Sequence, residues 1–157
     1  MSEDKIVPPA KAGEESVAPI VSEREKFVAL IKMIKLSQKP SRDVDASIYE
    51  LISPNDRVYR TKDDEGNVVG CHAATPDHIH TYIPAYTRNV DDAMSLVPDR
   101  FRDWNIRRRN GTAHRVELCE PSHEVEGCGR SLAHAFITAS LSAIAEKLPS
   151  SQSEGTQ

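Results

Sequence analysis

Aromatic residues are scarce: Phe, Trp and Tyr together make up 5% of the 157 residues, so recognition of single-stranded nucleic acid by base stacking has little to build on. Cysteine is scarcer still. Cys71, Cys119 and Cys128 form an odd set, too sparse for a disulfide framework, and fit a reducing compartment. No apolar run approaches the roughly 20 residues that cross a bilayer, and Met1 is followed by Ser-Glu-Asp in place of a basic and then an apolar stretch. The chain is therefore expected to stay in the cytoplasm, with no membrane partner. Also missing are a Gly-rich phosphate loop, a Gly-x-Ser-x-Gly elbow and a His-Glu-x-x-His pair, which removes the familiar signatures of nucleotide hydrolases, serine esterases and zinc proteases. There is no strong positive charge either. A net charge of -4 works against nonspecific attraction to duplex nucleic acid.

What is present is one domain between two polar ends. Residues 1–21 carry Pro8, Pro9, Pro19 and mixed charge with apolar residues scattered singly; such a stretch buries too little to offset chain entropy and is expected to be disordered, as is 149–157. The ordered domain is expected over 22–148. Ser22 and Glu25 have capping-box spacing ahead of Phe27, Leu30, Ile31 and Ile34, which predicts a helix over about 22–37. Pro40 ends it, and Ser41 opens a shorter helix with Val44, Ile48, Leu51 and Ile52 on one side. A hairpin follows: residues 57–60 and 68–73 as strands around the Asp63–Asn67 turn,. Residues 77–86 read as extended and irregular. Asn89 caps a short helix with Asp91 and Asp92 in its first turn, as the helix dipole prefers.

From Asp103 to Leu118 alternation is clear, with Trp104 and Ile106 on one strand facing the same way as Val116 and Leu118 on the next, beneath Ile137 of the last helix. Asn110-Gly111 suits the two-residue turn between the strands, where positive φ is needed. Trp104 is accordingly expected in the core. The final helix, about 129–148, carries a broad stripe of Ala133, Ile137, Leu141, Ile144 and Leu148, which implies that it lies deeply on a sheet. These elements predict an α+β fold: a single domain with a meandering antiparallel sheet packed by a long C-terminal helix and by shorter N-terminal and central helices.

Three stretches carry a resemblance: the Arg42–Ile52 helix; the run Ile83-Pro-Ala-Tyr-Thr-Arg-Asn-Val-Asp-Asp-Ala-Met-Ser-Leu-Val-Pro98; and the Trp-bearing strand with its hairpin partner and alanine-rich closing helix. Together the region from Phe27 to Lys147 resembles a family of small bacteriophage and prophage proteins described as a phage α/β/α sandwich domain. The middle run is the most distinctive, although Asn89-Val-Asp stands where the family more often has Ser-Leu-Asp. The resemblance implies a fold and a phage context in a bacterial host cell. It supplies no catalytic residues.

Two loose clusters invite chemistry. Cys71-His72 with Asp77, His78 and His80 holds metal-ligating side-chain types, but the spacing matches no compact zinc signature, and a polar surface loop accounts for it. Cys119, His123 and Cys128 form the second. Cys128 precedes the last helix, where a dipole lowers a thiol pKa, with His123 nearby as a base; a flexible Gly127-Cys-Gly129 lead-in to the helix explains the glycines without chemistry and is the preferred reading. No catalytic residue, metal ligand or cofactor is assigned from either cluster.

The strongest local signal is basic. Arg100 to Arg115 contains six arginines and one acid, Asp103. Guanidinium groups match phosphate oxygens in a two-pronged way, and Arg107, Arg109 and Arg115 are expected on the solvent face of the hairpin, either as a charged face that keeps the strand soluble, partly paired with Glu117 and Glu120, or as ligand-binding residues. The sequence thus reads as a non-enzymatic phage or prophage binding protein that contacts an anionic, nucleotide-like small molecule or a host protein through this hairpin, with nucleic acid a weaker fit. The alternative is a small hydrolase or nucleotide-processing enzyme using His123 and Cys128 or the Asp77–His80 loop.

Overall fold

The computed structural model describes residues 20–37, 39–109 and 113–150; the expected tails lie almost wholly, and the Asn110-Gly111 turn wholly, outside the described residues. Ser22 caps α1 (Glu23–Leu36), and a complete capping box with Glu25 satisfies its first N–H groups,. Ser41 likewise caps α2 (Arg42–Ile52) by accepting from Val44 N. The Asp63 carboxylate then folds the turn after β1 (Arg57–Lys62) by accepting from the N–H groups of Glu65 and Asn67 at 3.0 and 2.9 Å, while Gly66 takes the positive φ of 85° that the turn requires,. The Asn67 backbone N–H chiefly holds the Asp63 carboxyl below its ordinary pKa.

The antiparallel meander is divided in two. The first sheet has β1, β2 (Val68–Ala74) and β3 (His80–Tyr82) in that order, with Tyr59 opposite His72 and His72 opposite Tyr82. The second has β4 (Asp103–Arg109), β5 (Ala113–Glu120) and β6 (His123–Gly129). Between them in sequence, Asn89 caps the single-turn α3 (Val90–Met94), and the chain closes with α4 (Leu132–Glu146). The result is the expected single α+β domain with its long C-terminal helix.

α4 is more enclosed than a helix resting on a sheet. It packs on β5 and β6 with one side and on α1 and α3 with the other, so Ala133 through Leu141 are buried without interruption. α2 in turn covers β1 and β2 and touches α1, which joins the two sheets into one core centred on Phe136, Ile34, Ile48, Ile83 and Leu118.

Two expectations are corrected. Trp104 and Ile106 do face the α4 side with Val116 and Leu118, but β4 is the outer strand and α4 lies over β6 and β5. Trp104 therefore reaches only the rim of the helix, edge-on to Phe136 at 6.2 Å, and stays 40% exposed, with Ile106 at 50%. The glycines flanking Cys128 are no flexible lead-in either. Neither has positive φ, and a Cβ on Gly127 would lie 2.2 Å from Ala139 N and 2.5 Å from Ala135 O. They let the α4 backbone press directly on β6.

Candidate functional site

Register sets Arg107 directly opposite Arg115 on the face turned away from α4. The positive charge there is largely matched. Glu117, whose side chain is only 6% exposed, has Arg107 Nη2 at 3.5 Å and Arg115 Nε at 3.4 Å, and Arg115 also pairs with Glu126. Arg100 is held in the fold, donating to the Ala143 carbonyl at 2.8 Å with Glu120 beside it. Three acids that follow the arginines in sequence thus come back onto them. Arg107 remains the open member at 68% side-chain exposure. Arg109 pairs with Ala113 in the ladder, and its side chain is outside the described residues.

The His/Cys clusters are pulled apart. His72 stacks on Tyr59 with centroids 5.0 Å apart and has His80 at 5.7 Å, but Cys71 turns inward, its thiol donating to the Arg42 carbonyl at 3.5 Å, with burial pushing its pKa up. Among the described residues no three His, Cys, Asp or Glu side chains converge as a metal site. His123 and Cys128 both lie on β6, five positions apart, which sets them on opposite faces of the strand. His123 pairs with Glu146 at 2.7 Å, while Cys128 donates to Glu126 at 3.4 Å. Burial and that carboxylate raise the Cys128 pKa, the reverse of what an attacking thiolate needs.

Sequence reading missed a cleft that forms where α2 begins. Its floor is a buried clip. Arg42 Nη1 donates to Asp45 Oδ2 at 2.8 Å and to the Pro84 carbonyl at 3.1 Å, Nη2 donates to the Ile83 carbonyl at 2.7 Å, and Asp45 Oδ1 accepts from Thr87 N at 2.8 Å. Thr87 Oγ1 accepts from Ser41 N at 2.9 Å. This clip fixes the 84–88 loop against the start of α2, and the β1–β2 hairpin closes the other side.

The cleft so formed encloses about 700 Å³ and is lined by Arg42, Arg60, Lys62 and Arg88 with one acid, Asp43. A smaller recess of about 220 Å³ adjoins it and reaches Tyr82, Asp45 and Thr87. Arg60 is taken up by Asp43 and Glu50, each at 2.7 Å. Lys62 and Arg88 have no carboxylate partner among the described residues. The positive end of the α2 dipole, at Ser41 and Arg42, opens on the same space,. Lys62 and Arg88 lie 26 positions apart in sequence with nothing between them to mark a pair, so only the folded chain reveals it.

The chain matches no family model, no curated protein and no solved structure.

Proposed function

We propose that this chain is a non-enzymatic binding protein of the phage or prophage type, and that it holds a small anionic, nucleotide-like ligand in the cleft at the start of α2. The observation that carries this reading is the pair of cations Lys62 and Arg88, without a carboxylate partner among the described residues, lining a space of about 700 Å³. Oriented cations and a helix N-terminus favour phosphate oxygens, and the exposed Tyr82 ring at the adjoining recess offers a flat surface for a base. The residues behind the phage resemblance support it too, since Arg42, Pro84 and Thr87 meet in the clip beneath the cleft.

The test is titration calorimetry with inorganic phosphate, nucleoside mono- to triphosphates and linked dinucleotides, with mass spectrometry of the recovered ligand. Saturable binding of an unchanged ligand is expected, weakened about tenfold or more by Lys62→Glu or Arg88→Glu. The hairpin reading keeps a foothold in the exposure of Arg107. Loss of binding in Arg107→Glu and Arg109→Glu, with the cleft variants unaffected, transfers the site there. Turnover of the ligand, or no binding by any probe at low salt, overturns the proposal.

A further inference from the structure

A sheet edge exposes unpaired N–H and C=O groups, and natural edges are blunted by bulges, shortness or a covering element. Three of the four edges in this fold are treated so. β1 carries a register shift at Thr61/Lys62, β3 has three residues, and β6 is flanked by α1. β4 is the exception. It runs seven residues without proline or irregularity, and among the described elements its backbone lies close to β5 alone, with Trp104 reaching the rim of α4 by its side chain. Beside this open edge stand Trp104 and Ile106, the half-exposed apolar pair that α4 fails to cover.

The charge along β4 is polarised, with Asp103 at its start and Arg107, Arg108 and Arg109 at its end. Parallel association with another β4 would align like charges. Antiparallel association about the strand's midpoint, Ile106, sets Asp103 opposite Arg109, Trp104 opposite Arg108, Asn105 opposite Arg107 and Ile106 against its own copy. Every position then meets a complement. Centring the pair on Asn105 instead opposes Asp103 to Arg107 and Trp104 to Ile106 but pairs only five of the seven strand residues and leaves Arg108 and Arg109 beyond the partner strand, and centring it on Arg107 opposes that residue to itself.

We propose that β4 is a self-pairing edge through which two copies of this chain form a two-fold symmetric dimer with one continuous six-stranded antiparallel sheet. The interface is isologous, so each side-chain complement occurs twice. Directly opposed residues share a face, and both α4 helices lie on the same side of the joined sheet.

The test is the molecular mass of the full chain by sedimentation equilibrium and native mass spectrometry over a range of micromolar concentrations, with circular dichroism to confirm folding. A concentration-dependent dimer is expected. Asp103→Arg alone, or Arg109→Asp alone, should weaken it about tenfold or more by turning two ion pairs into two repulsions. The double variant carrying both changes should dimerise again. A chain that stays monomeric, a dimer indifferent to the single variants, or a double variant that fails to recover the dimer overturns the proposal.

Discussion

Asp45 reaches across 42 positions of the chain to accept the backbone N–H of Thr87 at 2.8 Å while its other oxygen holds Arg42. The carboxylate is 1% exposed, and both of its oxygens are satisfied by donors in fixed positions. Removing one member of such a buried pair leaves the other without compensation, which typically costs about 3–5 kcal/mol.

Asp45→Ala is therefore expected to lower stability by that amount in urea denaturation and to loosen the cleft that the clip supports. Asp45→Asn keeps an acceptor for Thr87 N–H and should lose less. Equal and small losses in both variants would show that the clip contributes little.

Gly127→Ala adds only one methyl, yet its Cβ would enter the backbone of α4 at Ala135 and Ala139. Overpacking against side chains costs about 1–3 kcal/mol. Here the obstacle is main chain, so a loss at or beyond the top of that range is expected in the same measurement. Cys128→Ala, one residue away on the opposite face of β6, should be nearly neutral.

That glycine also explains which parts of the fold the sequence disclosed. α1, α2 and the β1–β2 hairpin were legible because caps, helical spacing and a turn rich in acids, Gly and Asn agree with one another. β6 was not. Its inward positions are Val125, Gly127 and Gly129, so the apolar alternation that marks a strand is erased by the close approach of α4. Trp104 was assigned the right face of the sheet, but periodicity reports a face and says nothing of how far a covering helix extends. The charge of the arginine hairpin is partly offset by Glu117, Glu120 and Glu126, which return to Arg100, Arg107 and Arg115 through the sheet register or across a turn, and the fold shows that Arg107 stays open. The cleft, built from residues at 40–43, 60–69 and 88, has no local signature.

Ser140 is fully buried in α4, and its hydroxyl has no hydrogen-bond partner among the described residues. An unsatisfied buried hydroxyl is costly, and alanine is the better helix former. Ser140→Ala is expected to raise the midpoint of thermal unfolding, by the equivalent of about 1 kcal/mol. A lowered midpoint would reveal a partner for the hydroxyl.

His134 gives the fold a defined response to acid. Its ring is 2% exposed, Nδ1 lies 2.6 Å from the Ser131 hydroxyl that caps α4, and Nε2 has no partner among the described residues. Burial lowers its pKa below the ordinary imidazole value, outweighing the opposing pull of the Asp45 carboxylate. Above about pH 6.5 the ring is neutral in both folded and unfolded chains and adds no pH dependence. Below that, the unfolded chain takes up a proton that the folded chain refuses, so stability falls with decreasing pH until the depressed folded pKa is reached. Thermal midpoints should therefore decline from pH 7 toward pH 5, and His134→Gln, though less stable at neutral pH, should show a shallower decline across the same interval. Parallel slopes in the two proteins would mean that the acid response comes from other groups and that His134 accepts its proton in the folded state as readily as in the unfolded chain.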